Sequence, residues 1–185
     1  MLEPLPVAFY RTIGSMFLML QSPAQRYKAD LDSGAILPDE AQRMAVDALQ
    51  DLYLNLEARV KVKPRFLDRL LSRTGSAPEQ GLYLWGGVGR GKTYLMDSFF
   101  EALSFSKKKR MHFNRFMQRI HNELTELSGT KNPLDKVADR IASEALVLCF
   151  DEFYIGDIGD AMLLGGLMQA LFDRGITLVA TSNTP

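Results

Sequence analysis

The hydrophobic pattern changes character at Gly81. Before it, apolar residues recur at helical spacing; after it, short apolar runs alternate with helical stretches. Ser22-Pro23 reads as an N-cap with proline in the first turn of a helix that reaches about Leu31 and stops near Ser33-Gly34. A second helix begins around Pro38-Asp39-Glu40, and Ala41, Met44, Ala48, Leu52 and Leu56 recur at spacings of three and four as its buried stripe. Lys61 to Gln80 reads as a linker punctuated by Pro64, Gly75, Ser76 and Pro78. One short helix in it sets Phe66, Leu67, Leu70 and Leu71 among Arg65, Arg69 and Arg73. Such a basic amphipathic stretch suits a surface helix with snorkelling arginines, or a contact to an anionic membrane or partner groove.

From Gly81 onward the pattern is that of a parallel sheet with crossover helices. Strands are expected at Gly81–Trp85, from Met111–Phe113, at Leu146–Phe150 and at Ile176–Ala180. Helices are expected at Thr93–Leu103, Phe116–Leu127, Leu134–Ser143 and Asp160–Phe172. The runs LVLCF and ITLVA are apolar throughout, as strands buried on both faces should be.

Composition narrows the class. The 185 residues are 46% hydrophobic and 24% charged, enough for one soluble α/β domain with a buried core. Lys plus Arg and Asp plus Glu both number 22, a neutral balance that argues against a dedicated nucleic-acid coat. The single cysteine, Cys149, excludes an internal disulfide, suits a reducing cytosol and reads as core packing with nothing electropositive beside it. Ile13 to Leu20 is an apolar run behind Arg11, shorter than the roughly 20 residues of a membrane span and without a small-residue cleavage site after it. Residues 1–21 are therefore expected to be a disordered leader, 22–80 N-terminal helices and linker, and 81–185 the catalytic core.

The chemistry concentrates in Gly86-Gly87-Val88-Gly89-Arg90-Gly91-Lys92-Thr93, which matches G-x-x-x-x-G-K-[ST] between an apolar strand and a helix. Glycines let successive N–H groups curl inward as an anion nest, and the positive end of the following helix adds to the field. Lys92 brings a compact charge to the β- and γ-phosphates of ATP, and the Thr93 hydroxyl ligates Mg²⁺. About 58 residues later, LVLCF delivers Asp151 and Glu152 to a strand end, the rim where ligands of open α/β sheets bind. Asp151 is placed to hold Mg²⁺ and Glu152 to activate the attacking water. Asn183, after ITLVATS, acts as a γ-phosphate sensor if its strand lies between the other two; otherwise it is a turn residue before Pro185. Gln42 either reads an adenine edge or stays a solvated polar residue. The run Lys107 to Arg110 suits a solvated loop or a contact to nucleic acid or acidic protein. His112 and His121 lack a third partner in register and make a poor metal pair.

GLYLWGGVGRGKTYLMD, KKKRMHFNRFMQRIHNEL and LVLCFDEFYIGDIGDAMLLGGLMQALFDRGITLVATSN resemble the ZapE cell-division ATPases and their mitochondrial AAA+ relatives, over about Ser22 to Pro185. The resemblance implies an AAA+ fold, ATP hydrolysis, homo-oligomeric rings, and a cytoplasmic role, peripheral at the division site, through the FtsZ ring or another division protein. It places Lys92 and Thr93 on Walker A, Asp151 and Glu152 on Walker B and Asn183 on sensor 1. Two features depart from it: Asn114 stands where the family usually has histidine, and the first twenty residues have no recognised counterpart. Family members also run on past Pro185, so the chain is expected to be an incomplete core, lacking the last strand, the helical lid, sensor 2 and the trans-acting arginine. It is expected to be weakly active or inactive alone, with Gly81–Trp85 as a bare apolar sheet edge. Two other readings stand beside this one: a nucleic-acid-remodelling ATPase such as a helicase loader, and a nucleotide-gated binding module with negligible turnover. A small-molecule kinase is disfavoured by Glu152, since a kinase excludes a water-activating base.

Overall fold

Side chains of the central strand alternate strictly between two cores. The computed structural model describes residues 21–61 and 77–184. Strand β3 (Val147–Asp151) sends Val147 and Cys149 to one face and Leu148 and Phe150 to the other, all essentially inaccessible. The apolar run is thus the signature of a strand covered on both sides. Around it lie β1 (Leu82–Trp85), β2 (Lys108–His112) and β4 (Thr177–Ser182), in the order β1-β4-β3-β2 with every pair parallel. Strand β4 therefore sits between the P-loop strand and the Asp151 strand. Gly81 is required where β1 meets β4, because a Cβ there would lie 2.1 Å from the Leu178 carbonyl oxygen.

One face is covered by α1 (Pro23–Asp32), α2 (Glu40–Lys61) and α3 (Lys92–Ala102), through Leu49, Leu56, Met96 and Phe99. The other is covered by α4 (Phe113–Glu126), α5 (Pro133–Glu144) and α6 (Ile158–Asp173), through Phe116, Ile120, Ile141 and Leu167. Ser22 closes a capping box with Gln25, the start expected from Ser22-Pro23. Polar ties fix α1 and α2 to the P-loop helix and its loop. Tyr94 donates to Asp30 at 2.5 Å, Arg26 pairs with Glu101, and Arg90 lies 3.5 Å from Asp39.

Two sequence expectations shift. In α2 the buried stripe is Val46, Leu49, Leu52 and Leu56, whereas Ala41 is exposed and Met44 is 64% exposed. Two stripes fit three-and-four spacing here, and the one with larger side chains removes more apolar area from water. Strand β2 begins at Lys108 rather than Met111, so Lys108 to Arg110 is an edge strand, not a solvated loop. The expected basic helix at residues 65–73 and the leader lie outside the described residues, apart from Gln21. Among the described residues β1 lies at the edge of the sheet, with Tyr83 45% and Trp85 61% exposed.

The basic residues of β2 are satisfied internally. Lys108 caps the end of α3 through the Phe100 and Leu103 carbonyls at 2.6 and 2.7 Å. Lys109 pairs at 2.6 Å with Glu144, which also accepts from Arg119 at 2.8 and 3.0 Å. Hydrogen bonds from Arg119 and then Lys109 hold the Glu144 carboxyl down at about 2 from its ordinary 4.5. A lowered folded-state pKa stabilises the fold fully above the unfolded value and is lost as pH falls through the folded one. Glu144→Gln should lower the melting temperature at pH 7 by about 2–4 °C, roughly 1 kcal/mol after solvent screening. The difference from wild type should close between pH 4.5 and about 2, measured by thermal melts across pH. A difference constant over that range removes the carboxylate from the network.

Candidate functional site

The C-terminal ends of β1, β3 and β4 open onto one cleft of about 610 Å³, lined among others by Lys92, Thr93, Arg110, Asp151, Glu152 and Asn183. Its floor is the loop from β1 to α3. Gly89 and Gly91 both hold φ +80°, a left-handed backbone that residues with a Cβ rarely adopt, and Gly91 is the N-cap of α3. No side chain caps α3, so its first N–H groups and its dipole face the cleft. Lys92 Nζ folds onto the loop, donating to the Gly86 and Gly87 carbonyls at 2.6 and 2.8 Å. An ammonium carries three donors, so one remains for a phosphate oxygen. Gly86 N–H donates to the Ser182 carbonyl at 3.3 Å, which ties the loop to the end of β4.

Strand β3 supplies the acidic wall. Asp151 is 17% exposed and accepts both Nε and Nη2 of Arg110, at 2.8 and 3.1 Å. Glu152 turns away from it with φ +54°, leaving its side chain 74% exposed and 3.9 Å from His112 Nδ1. The turn is held from β4: Thr181 Oγ1 accepts the Glu152 N–H at 3.4 Å and the Thr181 carbonyl accepts the Phe153 N–H at 2.7 Å. Asn183 follows the buried pair Thr181–Ser182 and is exposed at the same rim.

Among the described residues, no cluster of three His, Cys, Asp or Glu could hold a metal by itself. The hydroxyl of Thr93 and the carboxylate of Asp151 are hard oxygen donors, and Mg²⁺ accepts such a pair when phosphate oxygens complete its shell. The residues present fit that group. His121, by contrast, bonds Asp160 at 2.8 Å on the surface between α4 and α6.

The sequence profile of the AFG1-like ATPases matches residues 21–185. The chain belongs to that family. Cell division protein ZapE of Escherichia coli K12 is 50% identical over 174 residues, 89% of this chain and 46% of its own length. Lactation elevated protein 1 homolog B of Danio rerio is 43% identical over 119 residues, 58% of this chain and 24% of its own. The chain thus spans under half the length of these family members. Domain III of the Thermotoga maritima replication initiation protein DnaA superposes with a TM-score of 0.55 at 18% identity, covering 80% of this chain and 53% of that one. The DnaC helicase loader gives 0.54 at 15% identity, covering 81% and 74%. At such identities the likeness shows the fold, a P-loop AAA+ sheet with flanking helices.

In this AFG1-like chain the P-loop, Asp151, Glu152 and Asn183 all reach one cleft. Gln42 reaches the loop rather than open solvent: its Nε2 donates to the Arg90 carbonyl at 3.3 Å, and its Oε1 is buried without a partner. Arg110 and His112 were not anticipated. Their signal was strand alternation, which puts Lys108, Arg110 and His112 on one side of β2. Arg110 also corrects the surroundings of Cys149, its register partner: a guanidinium does lie beside the thiol. Burial still dominates and pushes the thiol up to about 12, so Cys149 remains inert packing. Among the described residues no helix is long and apolar enough to cross a membrane.

Proposed function

We propose that the protein binds ATP with Mg²⁺, hydrolyses it, and uses the resulting conformational change on a partner in cell division, the FtsZ ring or another division protein. The supporting observation is that the P-loop, Asp151, Glu152 and Asn183 converge from the ends of three adjacent strands on one cleft. The residues from Gly86 to Gly91, with Val88 and Arg90, cradle the phosphates through backbone N–H groups. Lys92 neutralises them, Thr93 and Asp151 hold the cation, Glu152 orients and deprotonates water, and Asn183 fixes that water against the γ-phosphate. The cation, when bound, supplies charge neutralisation between phosphate oxygens.

The reading extends to a cytoplasmic protein, peripheral at the division site, that works as a homo-oligomer. Among the described residues, Arg110 of the cleft is held by Asp151 and Asp97, while Arg90 lies 3.5 Å from Asp39 with its side chain 57% exposed. An arginine acting on phosphoryl transfer contributes about 10³–10⁵ in rate, and with Arg110 committed to Asp151 and Asp97 these residues alone are proposed to turn over slowly. Nucleic-acid remodelling is disfavoured, because Lys108, Lys109 and Arg110 are all paired within the fold.

The test is ATP turnover by the whole protein, with and without polymerised FtsZ. Stimulation is expected, and equal rates remove FtsZ as the partner. Asp151→Asn should weaken ATP binding in Mg²⁺ by about 10-fold or more while leaving binding in EDTA unchanged. Equal loss in both conditions takes Asp151 out of the cation site.

A further inference from the structure

Arg110 lines the cleft, yet its guanidinium is committed to two carboxylates on two elements. It grips both oxygens of Asp151 at the end of β3, and its third nitrogen reaches Asp97 on α3. Asp97 lies four residues after Thr93, one turn along the same helix face. Arg110 therefore spans the gap between the helix that carries Thr93 and the strand that carries Asp151. Its side chain is 19% exposed and that of Asp151 17%, so neither is an ordinary solvated surface group.

The chemistry of the pair is specific. A planar fork on both carboxylate oxygens fixes the plane and rotamer of Asp151, which a lysine point charge cannot do. Each oxygen keeps acceptor capacity, so the clamp leaves Asp151 able to bind a cation. Burial opposes the charge on Arg110, but the hydrogen bonds it donates to Asp151 and Asp97 outweigh it and carry its pKa above the ordinary arginine value. The guanidinium thus stays charged between the two carboxylates it bonds.

We propose that Arg110 is a positioning residue that sets Asp151, and through Asp97 the Thr93 turn of α3, at the spacing a divalent cation needs. This rests on the assignment of Thr93 and Asp151 as cation ligands. Removing the clamp loosens the cation site without touching the phosphate nest.

The measurement is the ratio of dissociation constants for a fluorescent ATP analogue in EDTA and in Mg²⁺, on the whole protein. Arg110→Met keeps an unbranched apolar stem but lacks the fork, and should lower that ratio by about 10–100-fold, the scale for losing a group that orients a metal ligand. The constant in EDTA should stay within about twofold, as for independent sites. Asp97→Asn should lower the ratio by about threefold, as expected of a half-exposed pair. Arg110→Lys should recover only part of the loss, and full recovery would assign the effect to charge alone and overturn the positioning role. A ratio kept or raised in Arg110→Met, while Asp151→Asn has lost it, overturns the proposal and leaves the cation assignment standing. A wild-type ratio near one, or an unchanged ratio in Asp151→Asn, overturns the cation assignment itself. If Arg110→Met melts below the assay temperature, Asp97→Asn and Arg110→Lys decide, and wild-type ratios in both overturn the proposal.

Discussion

Lys92→Ala should weaken binding of ATP·Mg²⁺ by about 2–4 kcal/mol, or roughly 30- to 700-fold. The ammonium is held on the loop by the Gly86 and Gly87 carbonyls, with one proton left over for a phosphate oxygen. Alanine removes the compact cation from the nest and also releases both carbonyls. The remaining field comes from the N–H groups and dipole of α3, whose N-terminus has no side-chain cap. That residual field sets the lower bound on affinity. Arginine should not restore it, because a bulky planar fork does not reproduce a compact point charge beneath the loop. Equilibrium titration with a fluorescent ATP analogue gives the number, and melts without nucleotide report whether the empty loop is disturbed. Unchanged affinity would take the nucleotide out of this loop.

The fold was legible where one period ruled. Strands Leu82–Trp85, Val147–Asp151 and Thr177–Ser182 emerged because uninterrupted apolar runs between helical stretches have few other uses in a chain of this composition. The start of β2 was hidden because Lys108, Lys109 and Arg110 look like a solvated run. Two of their partners, Glu144 and Asp151, are distant in sequence, and the nearer ones, the end of α3 and Asp97, come alongside only once the helix packs on the sheet. Register in α2 was hidden for another reason: Met44 and Val46 both continue a three-and-four series, and only packing against α3 selects Val46.

The site divides in the same way. The phosphate loop and the acidic strand end are contiguous motifs whose spacing carries its own chemistry. Asn183 needed topology, namely β4 lying between β1 and β3. The parts that did not show are contacts between motifs: Arg110 against Asp151, Thr181 against Glu152, Gln42 against the loop. Each joins residues at least 29 positions apart. No local period encodes such a contact.

Glu152→Gln should lower steady-state turnover of the whole protein by about 10²–10⁴-fold, or 2.7–5.4 kcal/mol of barrier, with ATP affinity close to wild type. Glutamine keeps the length and the hydrogen-bonding oxygen but cannot take a proton from water. The backbone makes the substitution clean. Glu152 sits at φ +54°, a conformation that costs a residue with a Cβ about 1–2 kcal/mol, and glutamine bears the same cost. The Thr181 contacts that hold the turn use backbone N–H groups, so they survive the change. The side chain is 74% exposed and lies 3.9 Å from His112 Nδ1, itself 58% exposed, so no buried partner is orphaned and the melting temperature should hold. The proposed binding groups, Lys92, the nest and Asp151, are untouched, so the variant should trap ATP rather than lose it. Single-turnover hydrolysis beside equilibrium titration separates the two effects. Normal hydrolysis by Glu152→Gln would place the base on another residue of the cleft, whereas parallel loss of binding and turnover would make Glu152 part of the nucleotide site.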